Sequence, residues 1–181
     1  MPLGFSFERA RARTITSWDI ADGVSLRVLN SMDLTESAKR FGFPTYAVHR
    51  VDMHNELLQL AREPGENGEE AVQLRLAARV VGGDACEGWI ALEDGERHYA
   101  DLIVGADGIH SALRAMVVGS DKVKVVATGL SAFRFLISTQ KMREDPALEE
   151  LLKWKSAGAS MLANLADPVP ERHMMWYDCQ E

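Results

Sequence analysis

An α/β fold is the class this sequence predicts, on three observations. Residues 102–104 (Leu-Ile-Val) form a continuous apolar run that stops at Gly105-Ala-Asp-Gly108, as a parallel strand buried on both faces does before a turn. Residues 52–61 change period, with Met53, Leu57, Leu58 and Leu60 recurring at helical spacing. Between these two, short β-rich runs are punctuated by Gly82-Gly83 and Asp94-Gly95, the pattern of a meander with tight turns.

Taken in order, residues 14–18 and 24–29 are β-rich runs separated by Asp19 to Gly23, whose Asp22-Gly23 pair marks a hairpin turn. The helix that follows has Asp52 as N-cap or first-turn acid and ends before Pro64. Residues 64–70 are acidic and contain glycine, so an exposed loop is expected there. Val72, Leu74 and Leu76 alternate with polar residues, and residues 78–81, 89–92 and 97–99 complete the meander. Beyond the 102–104 strand, residues 109–118 predict a short helix with Ile109, Leu113, Met116 and Val117 along one side. Residues 123–128 and 130–138 are expected to be strands, 146–154 a helix opened by Pro146, and 173–177 a last strand. No internal repeat is visible.

Composition narrows the function. The chain has 181 residues, 46% of them hydrophobic, and a formal net charge of -7, a globular make-up that fills one domain core or parts of two. Lys and Arg are scattered, against any sequence-independent hold on nucleic acid. The one short basic run, Arg9, Arg11 and Arg13, reads as a solvated stretch. Cys86 and Cys179 are too far apart for a C-x-x-C site and are expected to be small buried residues in a reducing compartment. No apolar run approaches the roughly 20 residues that cross a bilayer and no signal-peptide core is present; a soluble cytoplasmic protein is expected. His49 and His54 lie five residues apart, about 140° around a helix, so no metal site is expected.

Three motifs bear chemistry. The first runs Asp101-Leu-Ile-Val-Gly-Ala-Asp-Gly-Ile-His-Ser-Ala-Leu-Arg114: small residues let a ligand approach the backbone while a carboxylate stands at the rim, although an ordinary strand–turn–helix connection has the same physics. The second is Tyr46-Ala-Val-His-Arg-Val-Asp-Met-His-Asn-Glu-Leu-Leu58, where a guanidinium just before a helix can reach a phosphate oxygen or lie on a plain surface. The third is Gly129-Leu-Ser-Ala-Phe-Arg-Phe-Leu-Ile137. On a strand, Arg134 shares a face with Ala132 and Leu136, company that is costly without an anion. A phenolate or carboxylate substrate, or an acid of the protein itself, would supply one.

Together these strings resemble the FAD-dependent aromatic-ring monooxygenases of the salicylate hydroxylase type: their Asp-Gly signature, their His-Arg-x-Asp-Leu-His-x-x-Leu segment and their Ala-Phe-Arg strand. The resemblance implies that Asp107, Gly108 and Arg114 serve the cofactor cleft, with a structural ion pair the other role open to Arg114. It implies that Arg50 lies on FAD, that Arg134 is a substrate-orienting or catalytic group, and that Tyr177 hydrogen-bonds substrate. Asp178 stands where that family usually has proline after the tyrosine.

On this resemblance the fold should be part of a glutathione reductase-like, Rossmann-type FAD-binding domain with a β-meander, plus the start of a mixed-sheet substrate domain. Residues 1–43 would hold the hairpin on the substrate side, 44–119 the partial FAD domain, and 120–181 the incomplete substrate domain. FAD is the implied cofactor and NAD(P)H the reductant; a small aromatic molecule and O2 are the implied partners. Neither G-x-G-x-x-G nor a later Gly-Asp-Ala-Ala-His-Pro segment occurs, so an internal fragment is expected, with an exposed sheet edge prone to self-association. The alternatives are a non-catalytic truncated product and a scaffold remnant of the same fold.

Overall fold

The computed structural model describes residues 4–64, 71–119, 126–154, 158–164, 166 and 172–179. In chain order the elements are β1 (Arg13–Thr14), β2 (Ser17–Asp22), β3 (Val28–Asp33), α1 (Ser37–Phe41), β4 (Tyr46–Ala47), α2 (Arg50–Arg62), β5 (Val80–Asp84), β6 (Trp89–Leu92), β7 (Arg97–Tyr99), α3 (Arg114–Val118), α4 (Thr139–Arg143), α5 (Pro146–Trp154), β8 (Ala159–Ala163) and β9 (His173–Trp176). This is the α/β class expected. The chain divides into two compact units, Met1–Val72 with Phe135–Glu181, and Gln73–Arg134.

In the first unit a four-stranded sheet has the order β3-β2-β8-β9. The expected hairpin is present as β2 and β3, but its turn lies later than the sequence suggests: Asp19 to Asp22 stay in the ladder, and the chain reverses over residues 23–27. The Asp22 carboxylate explains the shift. It accepts hydrogen bonds from the N–H groups of Val24 and Ser25 and from the Ser25 hydroxyl, an Asx-type cap of the turn, and Leu26 takes the left-handed φ of 58° that closes it.

β8 joins β2 in parallel, Trp18 opposite Ala159 and Ala21 opposite Leu162, and β9 runs antiparallel on its other side. Ala21, Ala159 and Leu162 are buried there. Gly158, which leads into β8, has no substitute, because a Cβ would fall on the hydroxyl and carbonyl of Ser17. β1 and β4 form a separate two-stranded ladder, and Ile15, Ala47 and Ala159 pack as a small core with Leu34 and Cys179.

Two helices of this unit follow the sequence closely. α2 begins at Arg50, with His49 in extended conformation at the cap position and Asp52 as a first-turn acid. It stops at Arg62, ahead of Pro64; residues 65–70 of the expected acidic loop lie outside the described residues. α5 spans Pro146–Trp154 as expected, the Asp145 carboxylate accepting from the Ala147 N–H and the Trp154 indole donating to the Leu26 carbonyl at 2.8 Å.

The second unit is built on the meander β5-β6-β7. β6 and β7 have the limits the sequence predicts. β5 differs: Gly82-Gly83 is strand, not turn. The turn falls at residues 85–88, where the Asp84 carboxylate accepts the N–H groups of Cys86 and Glu87. Gly83 suits the ladder because a Cβ there would lie 2.5 Å from the Trp89 carbonyl oxygen. Cys86, expected to be buried, is exposed on this turn.

Several expected elements are overturned. Residues 71–76 form no strand, and Val72, Leu74 and Leu76 are exposed. Residues 102–104, expected to be a doubly buried strand, are irregular, with Leu102 79% and Val104 77% exposed. Residues 130–138 are likewise irregular and Phe133 is 91% exposed. The physical reason is common to all three: a strand exists only where a neighbour completes its hydrogen-bond ladder, and among the described residues none of these runs has one. The expected 109–118 helix shrinks to α3, residues 109–113 being a turn. Of the expected strand 123–128, residues 123–125 lie outside the described residues and 126–128 are irregular.

Candidate functional site

Residues 107–114 form a loop that closes on itself. The Asp107 carboxylate accepts from the N–H groups of Ala112 at 2.7 Å and Leu113 at 3.2 Å. The Ser111 hydroxyl is the largest influence on this carboxyl and, with those N–H groups, holds it below the usual carboxylate range. From the other end, Arg114 donates through Nη2 to the carbonyls of Gly108 and Ile109, at 3.0 and 2.9 Å, and its N–H bonds the Ser111 hydroxyl. Among the described residues Arg114 therefore braces backbone carbonyls; the ion pair left open for it does not form. Gly108 sits at φ 74° with open space where a Cβ would be, so glycine is needed here for conformation rather than for room.

Arg50 occupies the first position of α2 and is exposed. Among the described residues no hydrogen bond or ion pair engages its guanidinium. Around it the chain is firmly held. Glu56, buried to 3% exposure, accepts from Nε and Nη2 of the Arg9 guanidinium at 2.7 and 2.6 Å and from the Ser6 N–H at 2.8 Å. The Arg9 hydrogen bond is the main reason its carboxyl lies below the ordinary value, and Arg9 is raised in return. One turn nearer the helix start, Asp52 accepts from Arg11 at 2.8 Å, and His49 Nδ1 lies 4.0 Å from its other oxygen.

Arg134 is exposed at the close of the second unit, and Tyr177 is 49% exposed just after β9 in the first. The structure thus brings Asp107, Gly108 and Arg114 together in the second unit, which also holds Arg134, whereas Arg50 and Tyr177 belong to the first. Two shallow surface hollows, of about 480 Å³ beside Asn55, Leu58 and Arg62 and about 310 Å³ beside Glu87, Tyr99 and Asp101, include none of the six. Among the described residues no three His, Cys, Asp or Glu side chains gather as metal ligands, and no helix is long and apolar enough to cross a membrane.

The chain is 31% identical over 185 residues to the FAD-dependent monooxygenase phomE' of Diaporthe leptostromiformis, an alignment covering 93% of this chain and 45% of that protein. It is 36% identical over 144 residues to hispidin-3-hydroxylase of Neonothopanus nambi, covering 80% of this chain and 33% of that one. Over most of its length the chain is similar to FAD-dependent monooxygenases. The chain spans less than half the length of each of these two relatives. No protein-family model matches it. Among solved structures, HpxO of Klebsiella pneumoniae complexed with FAD and uric acid is similar at 26% identity and a TM-score of 0.43, over 59% of this chain and 26% of HpxO.

What sequence reasoning missed is the Arg9–Glu56 and Arg11–Asp52 pairing. The basic run was expected to be solvated, and Arg9 and Arg11 are indeed exposed, but each also pairs with an acid of α2. A signal was present, since Asp52 and Glu56 stand at i and i+4, one above the other on a single helical face.

Proposed function

We propose that this chain is part of an enzyme that places one atom of O2 on an electron-rich aromatic ring, with FAD as cofactor and NAD(P)H as reductant, in the cytoplasm. The observation behind this reading is the alignment, over four-fifths or more of the chain, with proteins named as FAD-dependent monooxygenase and hydroxylase. Bound FAD would supply the redox and oxygen chemistry; the protein would bind, orient and exclude water.

The residues present fit such a cofactor. Arg50 offers a planar donor fork at the amino end of a 13-residue helix, where the helix's own N–H groups and dipole favour a pyrophosphate. Gly108 would let the cofactor approach backbone, with Asp107 and Arg114 keeping the loop in shape for it. Arg134 and Tyr177 would hold an ionised phenol, the arginine by charge and the tyrosine by hydrogen bond. In this reading residues 44–119 belong to the FAD-binding side, and 1–43 and 120–181 to the substrate side.

The test is to titrate the purified chain with FAD, and to assay NAD(P)H oxidation and phenol hydroxylation after joining it to the regions by which its relatives exceed it. Bound flavin and substrate-stimulated turnover are expected, with Arg134→Ala keeping flavin and losing the stimulation. A joined protein that binds no flavin would end the reading.

Self-association is proposed from one further observation. β3 is the edge of its sheet, and all six of its residues are exposed, Val28, Leu29 and Met32 among them. Such an edge is a template for a second strand. Sedimentation should give a dimer that Met32→Lys dissociates; a monomer at all concentrations refutes it.

A further inference from the structure

Residues 6–15 wrap the corner at which β4 leads into α2. The Ser6 N–H and the Nε and Nη2 groups of Arg9 converge on buried Glu56. Phe7 stacks on Tyr46 with ring centroids 4.2 Å apart and planes 19° from parallel. Arg11 reaches Asp52, Arg13 and Thr14 pair with Ala47 and Tyr46, and the Ile15 N–H bonds the Thr45 carbonyl at 2.8 Å. One short stretch therefore grips the corner from its incoming strand to the second turn of its helix, and Arg50 lies between the two grips.

Two features mark this as more than a surface decoration. Arg11 has a φ of 48°, a left-handed backbone that residues with a Cβ rarely adopt and that persists only where surroundings enforce it. Glu56 is a nearly inaccessible carboxylate whose two oxygens receive three donors; removing any one leaves a charge short of partners, which makes the arrangement specific in geometry. Charge matters too. Asp52 and Glu56 are acids within two turns of a helix end that would receive an anion, and each is paired with an arginine.

We infer that Arg9 and Arg11 are positioning residues: by pinning and neutralising Glu56 and Asp52 they fix the first turn of α2, so that Arg50 meets an anionic ligand without competition from the helix's own acids. This rests on the reading of Arg50 as a ligand of the FAD pyrophosphate. It assigns a purpose to the Arg9-x-Arg11 pair that no motif supplied.

The test combines hydrogen exchange with FAD titration on the whole chain. In Arg9→Gln and in Glu56→Gln, exchange of the amides of residues 53–57 should quicken roughly tenfold while the β2–β8 ladder stays protected, and FAD affinity should fall by a similar factor. Arg9→Lys, with the charge but not the fork, should recover part of both. Arg11→Ala should weaken FAD, and adding Asp52→Asn should restore it. Unchanged exchange, exchange quickened across the whole unit, or quickened exchange with FAD affinity intact would each overturn the inference. A chain that binds no FAD even when joined to the regions by which its relatives exceed it would instead remove the cofactor reading, and with it the role of Arg50, whereas the exchange data would still decide whether the first turn is held as described.

Discussion

Two corners of this chain carry the strings that resemble cofactor motifs, and they are held in different ways. The β4–α2 corner is clasped by side chains that lie some forty or more positions earlier, Arg9 to Glu56 and Arg11 to Asp52. Among the described residues the charged side chains of the loop at residues 107–114 bond within it, Asp107 to Ala112 and Leu113 and Arg114 back to Gly108 and Ile109. A motif whose bonds are local folds into its own shape wherever it is placed. One whose bonds are distant needs its surroundings first, and the apolar run 102–104 beside the loop is without such surroundings among the described residues.

The contrast can be broken most forcefully in the ordered sheet. Leu162→Ala removes a side chain buried in β8 and should cost about 2–5 kcal/mol, read from the urea midpoint. Gly158→Ala should follow, at about 1–3 kcal/mol, because its methyl group would force β8 away from Ser17; an unshifted midpoint would mean that the two strands are not so close.

A pH series sharpens the comparison. The Glu56 carboxyl is depressed by Arg9, so its contribution is complete above the ordinary glutamate value and fades as acid takes the pH below its folded value. Stability near neutral pH should exceed that at about pH 3, with Glu56→Gln flattening that dependence. Asp107 is depressed in the same direction, but its loss should be seen locally, as faster exchange of the Ala112 and Leu113 amides in Asp107→Asn with little change in the global midpoint. The smallest effect belongs to Leu102→Ala, within about 0.5 kcal/mol, because this leucine is mostly solvent-exposed. A loss of several times that would restore the buried strand that the sequence suggested.

Where local signals suffice, sequence and structure agree. β6, β7 and α5 have the expected limits because alternation, Asp-Gly turns and a leading proline act over a few residues. The hairpin is legible, yet its turn is displaced because the Asp22 side chain, not the Asp-Gly backbone preference alone, decides where the chain reverses. Residues 102–104 and 130–138 have the letters of strands, but strandness is a property of pairs, and apolar content says nothing about whether a neighbour is there. Of the site residues, the Asp107–Arg114 loop could be located from its string, and the structure adds that both charged side chains turn inward on the backbone. The partners of Arg9 and Arg11 were beyond a residue-by-residue reading, since nothing local distinguishes a guanidinium in water from one that finds a carboxylate across the fold.

The parallel register of β2 with β8 has a consequence for how the molecule is made. Trp18 cannot find Ala159 until β8 has left the ribosome, and the meander, lying between them in sequence, can fold first. The early hairpin must wait with one edge open, and completing the sheet requires closing the long loop from β2 to β8. Synthesis should therefore yield the meander first and the four-stranded sheet last, making the interval before β8 emerges the time at which nascent chains are most easily diverted into aggregates.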